Sequence, residues 1–266
     1  MQDKTYHVRE ILTTDRLLLR ELTQEDYPAL SAILQDMETM YAYEGAFHDE
    51  ETANWMTNTF KRYQEYGFGL WAVILLETGE MIGHAGITWQ TVNDHKYLEI
   101  GYLFNRHYWG RGYAIEVARA CKEYAFCRLD ADTVCTIVRD TNLSSMNVAI
   151  RSGMVIRERF VKHYRDVVMP HYRFEIKRGQ HIIYMVRCRD GSYYTGYTND
   201  LSARIQTHNE GKGAKYTKGR RPVELIYKRY FSDYSEALRY EHQLKRMSRT
   251  QKGKMLTPLN PNYVIT

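Results

Sequence analysis

A glycine-rich turn in the first half of the chain has the residue types needed to bind an anion. Residues 108–114 read YWGRGYA and lie between a predicted strand and a predicted helix. Glycines let backbone amides converge on an anion, and the N-terminus of a helix adds partial positive charge. The turn therefore suits a pyrophosphate. By itself, a glycine pair before a helix is equally compatible with an ordinary turn.

A second group of candidate residues lies in the last third of the chain. Tyr184 and Tyr194 are ten residues apart on two predicted strands, although tyrosines in strands are usually packing residues. Residues 181–266 hold 16 Lys and Arg against 7 Asp and Glu, a net charge of +9, whereas residues 1–180 have a net charge of −4. Such a charge suits either a solvated basic face or a phosphate backbone. The basic residues of one predicted loop, which also holds Tyr216, are Lys212, Lys215, Lys218, Arg220 and Arg221.

Two predicted units position these groups. Apolar periodicity predicts strands at 16–22, 97–104, 134–138 and 167–176, and helices at 24–40, 50–66, 112–127 and 143–152. A strand hairpin at 71–89 completes an α/β or α+β domain over residues 8–176, and residues 177–180 (KRGQ) form a linker. A smaller α/β domain over 181–260 has strands HIIYMVRC, YYTGYT and VELIYKRYF and helices at 201–208 and 235–248.

Composition narrows the class of protein. The chain has 266 residues, of which 44% are hydrophobic and 13% aromatic, enough for two cores. Its four cysteines have neither zinc-ligand spacing nor a CxxC pair, so we expect buried thiols. No stretch of about 18 apolar residues is present, and the first residues do not resemble a signal peptide. These features predict a cytoplasmic protein that has no membrane partner.

Several sequence features of the first unit resemble those of the GNAT acetyltransferases and occur in the family's order. The family's pyrophosphate turn has Gln or Arg, two residues, Gly, any residue, then Gly or Ala; here Gly110, Gly112 and Ala114 fit, and His107 replaces Gln or Arg. NLSS at 142–145 and the following AIRSGM are similar to the family's NxxS…KxGF stretch. TDRLLLREL near the start, EIGY at 99–102 and DVVM at 166–169 resemble the branch that acetylates ribosomal-protein N-termini and small amines.

This resemblance implies a mixed-sheet fold and direct transfer of an acetyl group from acetyl-CoA to an amine, either a protein N-terminus or a small molecule. The residues that would bind acetyl-CoA are Gly110, Arg111, Gly112, Tyr113, Ala114 and Asn142. Glu99 is the candidate base, and a purely structural role of its carboxylate is an equal alternative. Ser145 is expected either to assist thiolate departure or to cap a helix. The aromatic and acidic residues Tyr41, Tyr43, Glu44 and Trp55 either line a pocket for the amine or take part in ordinary helix packing.

The second unit is similar over residues 181–256 to the GIY-YIG nucleases, above all to the small stand-alone bacterial form. Tyr184 and Tyr194 occupy the GIY and YIG tyrosine positions, although the motifs read IIY and YTG. TNDLSARIQTHNEGKGAKYTKGRRPVELIY and SEALRYEHQLKRMSRTQK carry the rest of the likeness. Tyr197 stands where some incision nucleases have a lysine, which leaves the activation of Tyr184 open.

The GIY-YIG resemblance implies metal-dependent cleavage of nucleic acid, with DNA as the expected partner. Arg204 would hold the scissile phosphate, and His208 would contact a phosphate or transfer a proton. Glu241 would bind Mg²⁺ or Mn²⁺ as the single protein carboxylate. The alternatives that do not depend on the resemblance are an i, i+4 ion pair of Glu241 with Lys245, and a His208 side chain that caps or hydrogen-bonds to its own helix.

Together these observations predict a bifunctional protein, an N-acetyltransferase joined to an endonuclease. One alternative is that the second unit only binds nucleic acid and localises the acetyltransferase. A second alternative makes the first unit an acyl-CoA sensor without catalysis.

Overall fold

The computed structural model describes residues 8–43, 45–164 and 167–264. The chain divides into two compact units. The first comprises the chain up to Lys122 and from Thr133 to Ile176, and the second comprises Glu123–Asp132 and the chain from Lys177 onward. In the described ranges, every helix is too short or too polar to cross a membrane.

A mixed β-sheet forms the centre of the first unit. Among the described residues its eight strands are β1 (Glu10–Thr13), β2 (Leu17–Arg20), β3 (Leu70–Leu75), β4 (Met81–Val92), β5 (His95–Phe104), β6 (Thr133–Arg139), β7 (Val155–Tyr164) and β8 (Val167–Lys177). Their spatial order is β1-β2-β3-β4-β5-β6-β8-β7. β4 and β5 are antiparallel from the Gly83–Phe104 pair to the Val92–His95 pair, whereas β5 pairs in parallel with β6 at Glu99 and Cys135. Strand pairing in the sheet therefore changes from antiparallel to parallel at β5, beside Glu99.

Among the described residues, four α-helices accompany this sheet: α1 (Tyr27–Leu34), α2 (Asp49–Tyr66), α3 (Tyr113–Arg128) and α4 (Leu143–Arg151). The ends of α2 show why the chain is helical there. Glu51 closes a capping box with His48 at the first turn, and Gly67 ends the helix at φ 74°, a conformation that favours glycine. Met56 of α2 packs with Leu30 and Leu34 of α1 in a buried cluster.

The second unit is a three-stranded antiparallel sheet with helices. In the described part of the chain its strands are β9 (His181–Cys188), β10 (Tyr193–Thr198) and β11 (Val223–Phe231), in the order β10-β9-β11. The helices are α5 (Leu201–Asn209), α6 (Lys215–Lys218), α7 (Tyr234–Arg246) and α8 (Arg249–Met255). The carboxylates of Asp200 and Asp233 accept hydrogen bonds from the first-turn amides of α5 and α7.

The central strand β9 is buried on both faces, which explains its nearly continuous apolar sequence. Ile183 and Met185 pack with Leu244 of α7, while Tyr184 and Val186 pack in a separate cluster against Ile205 of α5 and its neighbours. Strand alternation thus directs Tyr184 toward the α5 side of the sheet.

The fold class expected from the sequence is confirmed. The cysteines are buried free thiols, as predicted. Several elements differ: α1 ends at Leu34 where a helix to residue 40 was predicted, and α6 lies within the predicted loop. β1, β7 and α8 were not predicted.

Candidate functional sites

The glycine turn of the first unit requires backbone conformations that only glycine adopts readily. Gly110 and Gly112 have φ values of 75° and 81°. The first bond of α3 runs from the Glu116 amide to the Gly112 carbonyl, so the amides just before it have no partner within the helix. Open space lies beside Gly110, where a Cβ would meet no atom within 4 Å. The turn thus presents amides to an open surface at a helix N-terminus, which suits a pyrophosphate.

Arg16, to which the sequence gave no role, anchors this turn. Its guanidinium donates to the Arg111 carbonyl over 3.0 Å, forms a 2.6 Å ion pair with Glu116, and lies 4.4 Å from the centre of the Tyr113 ring. The Arg111 side chain itself lies over the ring of Tyr108. The only sequence signal for Arg16 was its place in the TDRLLLREL stretch.

A cleft of about 1020 Å³ brings most of the predicted acyltransfer residues together. It is bordered by the glycine turn, by residues of β4 and β5, and by the first turn of α4. The predicted residues that line it are Tyr41, Tyr43, Trp55, Glu99, Gly110, Gly112, Tyr113, Ala114, Asn142 and Ser145. Arg111 is not among its lining residues, and Glu44 and Asp166 lie outside the described residues.

Glu99 combines features of both of its predicted roles. Its carboxylate accepts weak hydrogen bonds from the Ile137 amide (3.3 Å) and from Thr88 Oγ1 (3.4 Å), as a structural carboxylate would. Burial nevertheless raises the pKa of Glu99 above its ordinary value. A carboxylate with a raised pKa that borders a cleft is suited to accept a proton near neutral pH.

Asn142, and not Ser145, caps α4. Asn142 Oδ1 accepts from the Ser145 amide over 3.0 Å and also from the Tyr41 hydroxyl over 2.8 Å. The capping role considered for Ser145 is therefore wrong, because Ser145 is already inside the helix. Tyr102, which the sequence did not single out, donates its hydroxyl to the Ser145 carbonyl over 3.3 Å and also borders the cleft.

His84 is a further cleft residue that sequence reasoning missed. The side chain is 4% exposed, its ring lies 4.7 Å from that of Trp55, and neither ring nitrogen has a hydrogen-bond partner among the described residues. Burial lowers the pKa of His84 to about 3, so the imidazole is neutral at physiological pH. Its position on a sheet strand, in the run MIGHAGI, made it look like an ordinary core residue.

In the second unit, three predicted residues form one hydrogen-bonded cluster. The Tyr184 hydroxyl lies 2.7 Å from His208 Nε2 and accepts a 3.0 Å hydrogen bond from Arg204 Nε. Tyr184 and His208 are fully buried, whereas Arg204 is partly exposed. His208 therefore has a specific side-chain partner, and the cluster adjoins solvent through Arg204.

Burial raises the pKa of Tyr184, and the Arg204 guanidinium opposes this rise by stabilising the phenolate. Burial lowers the pKa of His208, and the charge of Arg204 lowers it further. A neutral imidazole next to a phenol can accept the phenolic proton, while the guanidinium compensates the negative charge that forms.

Two glycines make room for this cluster. β9 and β10 pair Tyr184 opposite Gly196, where a Cβ would lie 2.6 Å from the Tyr184 hydroxyl oxygen. A Cβ at Gly213 would lie 2.4 Å from His208 Nδ1. These close approaches explain the glycine of YTG and one glycine of the loop that follows α5.

Tyr194 lies at the edge of the cluster and Tyr197 lies elsewhere. The Tyr194 ring is 5.3 Å from His208, edge to face, and 6.1 Å from Tyr216 in a stacked arrangement. The Tyr197 hydroxyl is instead 2.8 Å from His181 Nδ1. The Tyr184 hydroxyl is therefore contacted by His208 and Arg204, whereas Tyr197 pairs with His181.

Glu241 of α7 forms the predicted i, i+4 ion pair, with 2.8 Å between its Oε1 and Lys245 Nζ. Its charge acts on Tyr184, and its side chain is 15% exposed. Among the described residues no cluster of three or more His, Cys, Asp or Glu is placed to hold a metal. One carboxylate with water completing the shell is a donor set that fits Mg²⁺ or Mn²⁺.

Comparisons with known proteins identify a family for each of the two units. A family model for the acetyltransferase (GNAT) domain matches residues 16–155, and one for the GIY-YIG catalytic domain matches residues 180–254. A UPF0213 protein of Staphylococcus haemolyticus is 58% identical over 77 residues, which cover 29% of this chain and 94% of the relative. The uncharacterized protein YkkB of Bacillus subtilis is 35% identical over 144 residues, which cover 54% of this chain and 84% of the relative.

Among solved structures, a GNAT-family acetyltransferase from Bacillus anthracis is similar to 62% of this chain and 97% of its own, with 25% identity and a TM-score of 0.55. The fold and the two sites thus define a fusion of an acetyltransferase domain with a nuclease-family domain. The chain belongs to the GNAT acetyltransferase family and, through its C-terminal part, to the UPF0213 group of GIY-YIG proteins.

Proposed function

We propose that this protein is an enzyme with two activities, acetyl-CoA-dependent N-acetylation by residues 8–176 and metal-dependent DNA cleavage by residues 181–260. The first activity is supported above all by the cleft that joins the glycine turn to Glu99. The second is supported by the Tyr184–His208–Arg204 cluster.

For acetylation, the amides around Gly110 and Gly112 bind the pyrophosphate of acetyl-CoA, and the amine acceptor enters near Tyr41 and Trp55. The acceptor is a small amine or a protein N-terminus. Glu99 takes a proton from the ammonium group, so that the amine nitrogen attacks the thioester carbon as the carbon–sulfur bond breaks. Ser145, beside Asn142 at the start of α4, stabilises the departing thiolate, which takes the second proton of the attacking nitrogen and leaves as the CoA thiol.

The test of acetylation is release of the CoA thiol from acetyl-CoA in the presence of a panel of polyamines, amino sugars and N-terminal peptides. Stoichiometric thiol and acetylated amine are expected for at least one acceptor, with the product confirmed by mass spectrometry. Tight CoA binding with no acetylated product from any acceptor would favour the acyl-CoA sensor.

For cleavage, Arg204 binds the scissile phosphate and Glu241 holds the divalent ion, which neutralises developing charge when bound. Because the Tyr184 side chain is fully buried, water reaches its oxygen when the arriving phosphate shifts Arg204, whose charge stays close enough to stabilise the phenolate. Tyr184 then takes a proton from the attacking water while His208 accepts the phenolic proton. The basic residues after α5, including Lys215 and Lys218, follow the nucleic-acid backbone.

The test of cleavage uses labelled single-stranded, duplex, flap and branched DNA and RNA with Mg²⁺, Mn²⁺ or EDTA. Cutting is expected with either ion and not with EDTA. Arg204→Lys should lose roughly 100-fold in rate, because an ammonium group cannot replace the planar donor fork. Arg246→Lys, an exposed change on α7, is the control and should cut normally. Binding without cutting by the wild-type protein would favour a nucleic-acid-binding module.

A further inference from the structure

The His208 ring is held from both sides by hydroxyl groups. Nε2 lies 2.7 Å from the Tyr184 hydroxyl, and Nδ1 lies 2.7 Å from Oγ1 of Thr217, a residue of α6. Thr217 is fully buried, and so is His208. The Thr217 hydroxyl also lies 2.9 Å from the Ala214 carbonyl oxygen, which can only accept.

The direction of these hydrogen bonds follows from the group that cannot change its role. Arg204 Nε is always a donor, so it donates to the Tyr184 oxygen. The Tyr184 proton must then go to another acceptor, and among the described residues His208 Nε2 is the one within reach. His208 Nε2 is therefore unprotonated, and Nδ1 carries the ring proton.

The opposite tautomer would leave a buried donor without a partner. If Nε2 carried the proton, the Tyr184 oxygen would receive hydrogens from both His208 and Arg204, and its own proton would have no acceptor among the described atoms. An unsatisfied buried hydroxyl costs about 1–3 kcal/mol. With the proton on Nδ1, each donor in the chain from Arg204 through Tyr184, His208 and Thr217 to Ala214 has an acceptor.

We propose that Thr217 is a positioning residue that fixes His208 as the Nδ1–H tautomer, so that Nε2 is the base that takes the Tyr184 proton. Its effect on cleavage rests on the nuclease function proposed above. The tautomer itself does not depend on that function.

The step that this arrangement serves is balanced in protons and bonds. The Tyr184 proton moves to His208 Nε2, which gives an imidazolium that keeps its Nδ1–H bond to Thr217. The phenolate takes a proton from water as the new phosphorus–oxygen bond forms and the bond to the leaving oxygen breaks. The leaving oxygen takes a proton from solvent, and His208 returns one to solvent.

The proposal is tested with Thr217→Val, which removes the hydroxyl but keeps the side-chain shape, and with Thr217→Ser, which keeps the hydroxyl. The control is Thr207→Val, because the Thr207 hydroxyl donates to the Ala203 carbonyl on α5 without contacting His208. The first readout is a two-bond proton–nitrogen NMR spectrum of the full chain without substrate, in which His208→Gln identifies the His208 signals.

Wild type, Thr217→Ser and Thr207→Val should show His208 protonated at Nδ1, and Thr217→Val should lose this preference. The second readout is cleavage kinetics. Thr217→Val should lower kcat at least about tenfold with KM unchanged, since the buried hydroxyl contacts no phosphate, and Thr217→Ser should restore it.

A wild-type His208 protonated at Nε2 would overturn the proposal, and so would a Thr217→Val protein that retains both the tautomer and the wild-type kcat. Absence of cleavage by wild type would instead refute the nuclease function, while the NMR spectrum still decides the tautomer.

Discussion

At the scale of single residues, substitution of Glu241 distinguishes a metal ligand from a residue that only forms an ion pair. Glu241→Gln should abolish metal-dependent cleavage, because it removes the single carboxylate offered to the ion. Affinity for DNA in EDTA should stay the same or rise slightly, since a negative charge is lost. Cleavage rate and fluorescence-anisotropy binding are the measurements.

Lys245→Gln is the matched control, because it breaks the same 2.8 Å ion pair and keeps the carboxylate. Such an i, i+4 helix pair contributes only about 0.3–0.5 kcal/mol to stability. If the two variants cleaved equally well, Glu241 would be no more than the partner of Lys245.

The pH dependence of cleavage should report the environment of His208. The titratable and charged groups facing its ring are Tyr184, Tyr194 and Arg204, and the uncharged Thr217 hydroxyl lies against Nδ1. Burial and the Arg204 charge lower the pKa of His208 below its ordinary value of 6.5, so most of the imidazole is neutral at pH 6.5. The single-turnover rate, measured from pH 8 to 4.5 with saturating Mg²⁺, should therefore fall along an acid limb centred below pH 6.5. An acid limb centred above pH 6.5 would contradict this assignment.

At the scale of elements, the glycine turn before α3 can be compared with the hairpin turn between β3 and β4. Gly110 and Gly79 have nearly the same φ, 75° and 74°, and a Cβ at either position would meet no atom within 4 Å. Valine at either position therefore introduces similar backbone strain, about 1–3 kcal/mol.

Only Gly110→Val should weaken acetyl-CoA binding, because only that turn borders the cleft. Calorimetric titration with acetyl-CoA is the measurement, and thermal unfolding verifies that both variants fold. Equal affinities for the two variants would mean that the phosphate-binding turn lies elsewhere.

The sequence predicted best the elements that are buried on one face or on both faces. β9 was predicted at its observed bounds because its apolar run is nearly continuous, and β11 because VELIYKRYF is rich in β-branched and aromatic residues. β7 was missed because it is an edge strand of the described sheet, and its sequence VIRERFVKHY mixes charged and apolar residues without a clear period. α8 has almost no apolar residues and is defined by the Ser248–Gln251 capping box.

The same limit applies to the sites. Motif spacing located Tyr184, Arg204 and His208, but their mutual contacts join residues of different elements and appear only in the folded chain. Thr217 and Arg16 carried no distinctive signal, because a threonine in a polar loop and an arginine before a strand are common. Their roles depend on hydrogen bonds to residues distant in sequence.

At the scale of the whole molecule, the two activities should be separable by single substitutions. Glu99 and Glu241 belong to different units: Glu99 lines the cleft of the first, and the charge of Glu241 acts on Tyr184 in the second. Glu99→Gln keeps the shape of the side chain but removes the proton acceptor, so acetylation should fall roughly 100-fold or more. Its cleavage rate should equal that of wild type. Glu241→Gln should show the reverse pattern.

Both reactions are measured on one preparation of each full-length variant, by CoA thiol release and by cleavage of the preferred nucleic-acid substrate. The double variant should lack both activities and still bind acetyl-CoA, because the glycine turn is intact. It should also still bind DNA, with an affinity that falls steeply with salt, since residues 181–266 have a net charge of +9. If Glu99→Gln also slowed cleavage, the two activities would be energetically coupled and could not be treated as independent functions of one chain.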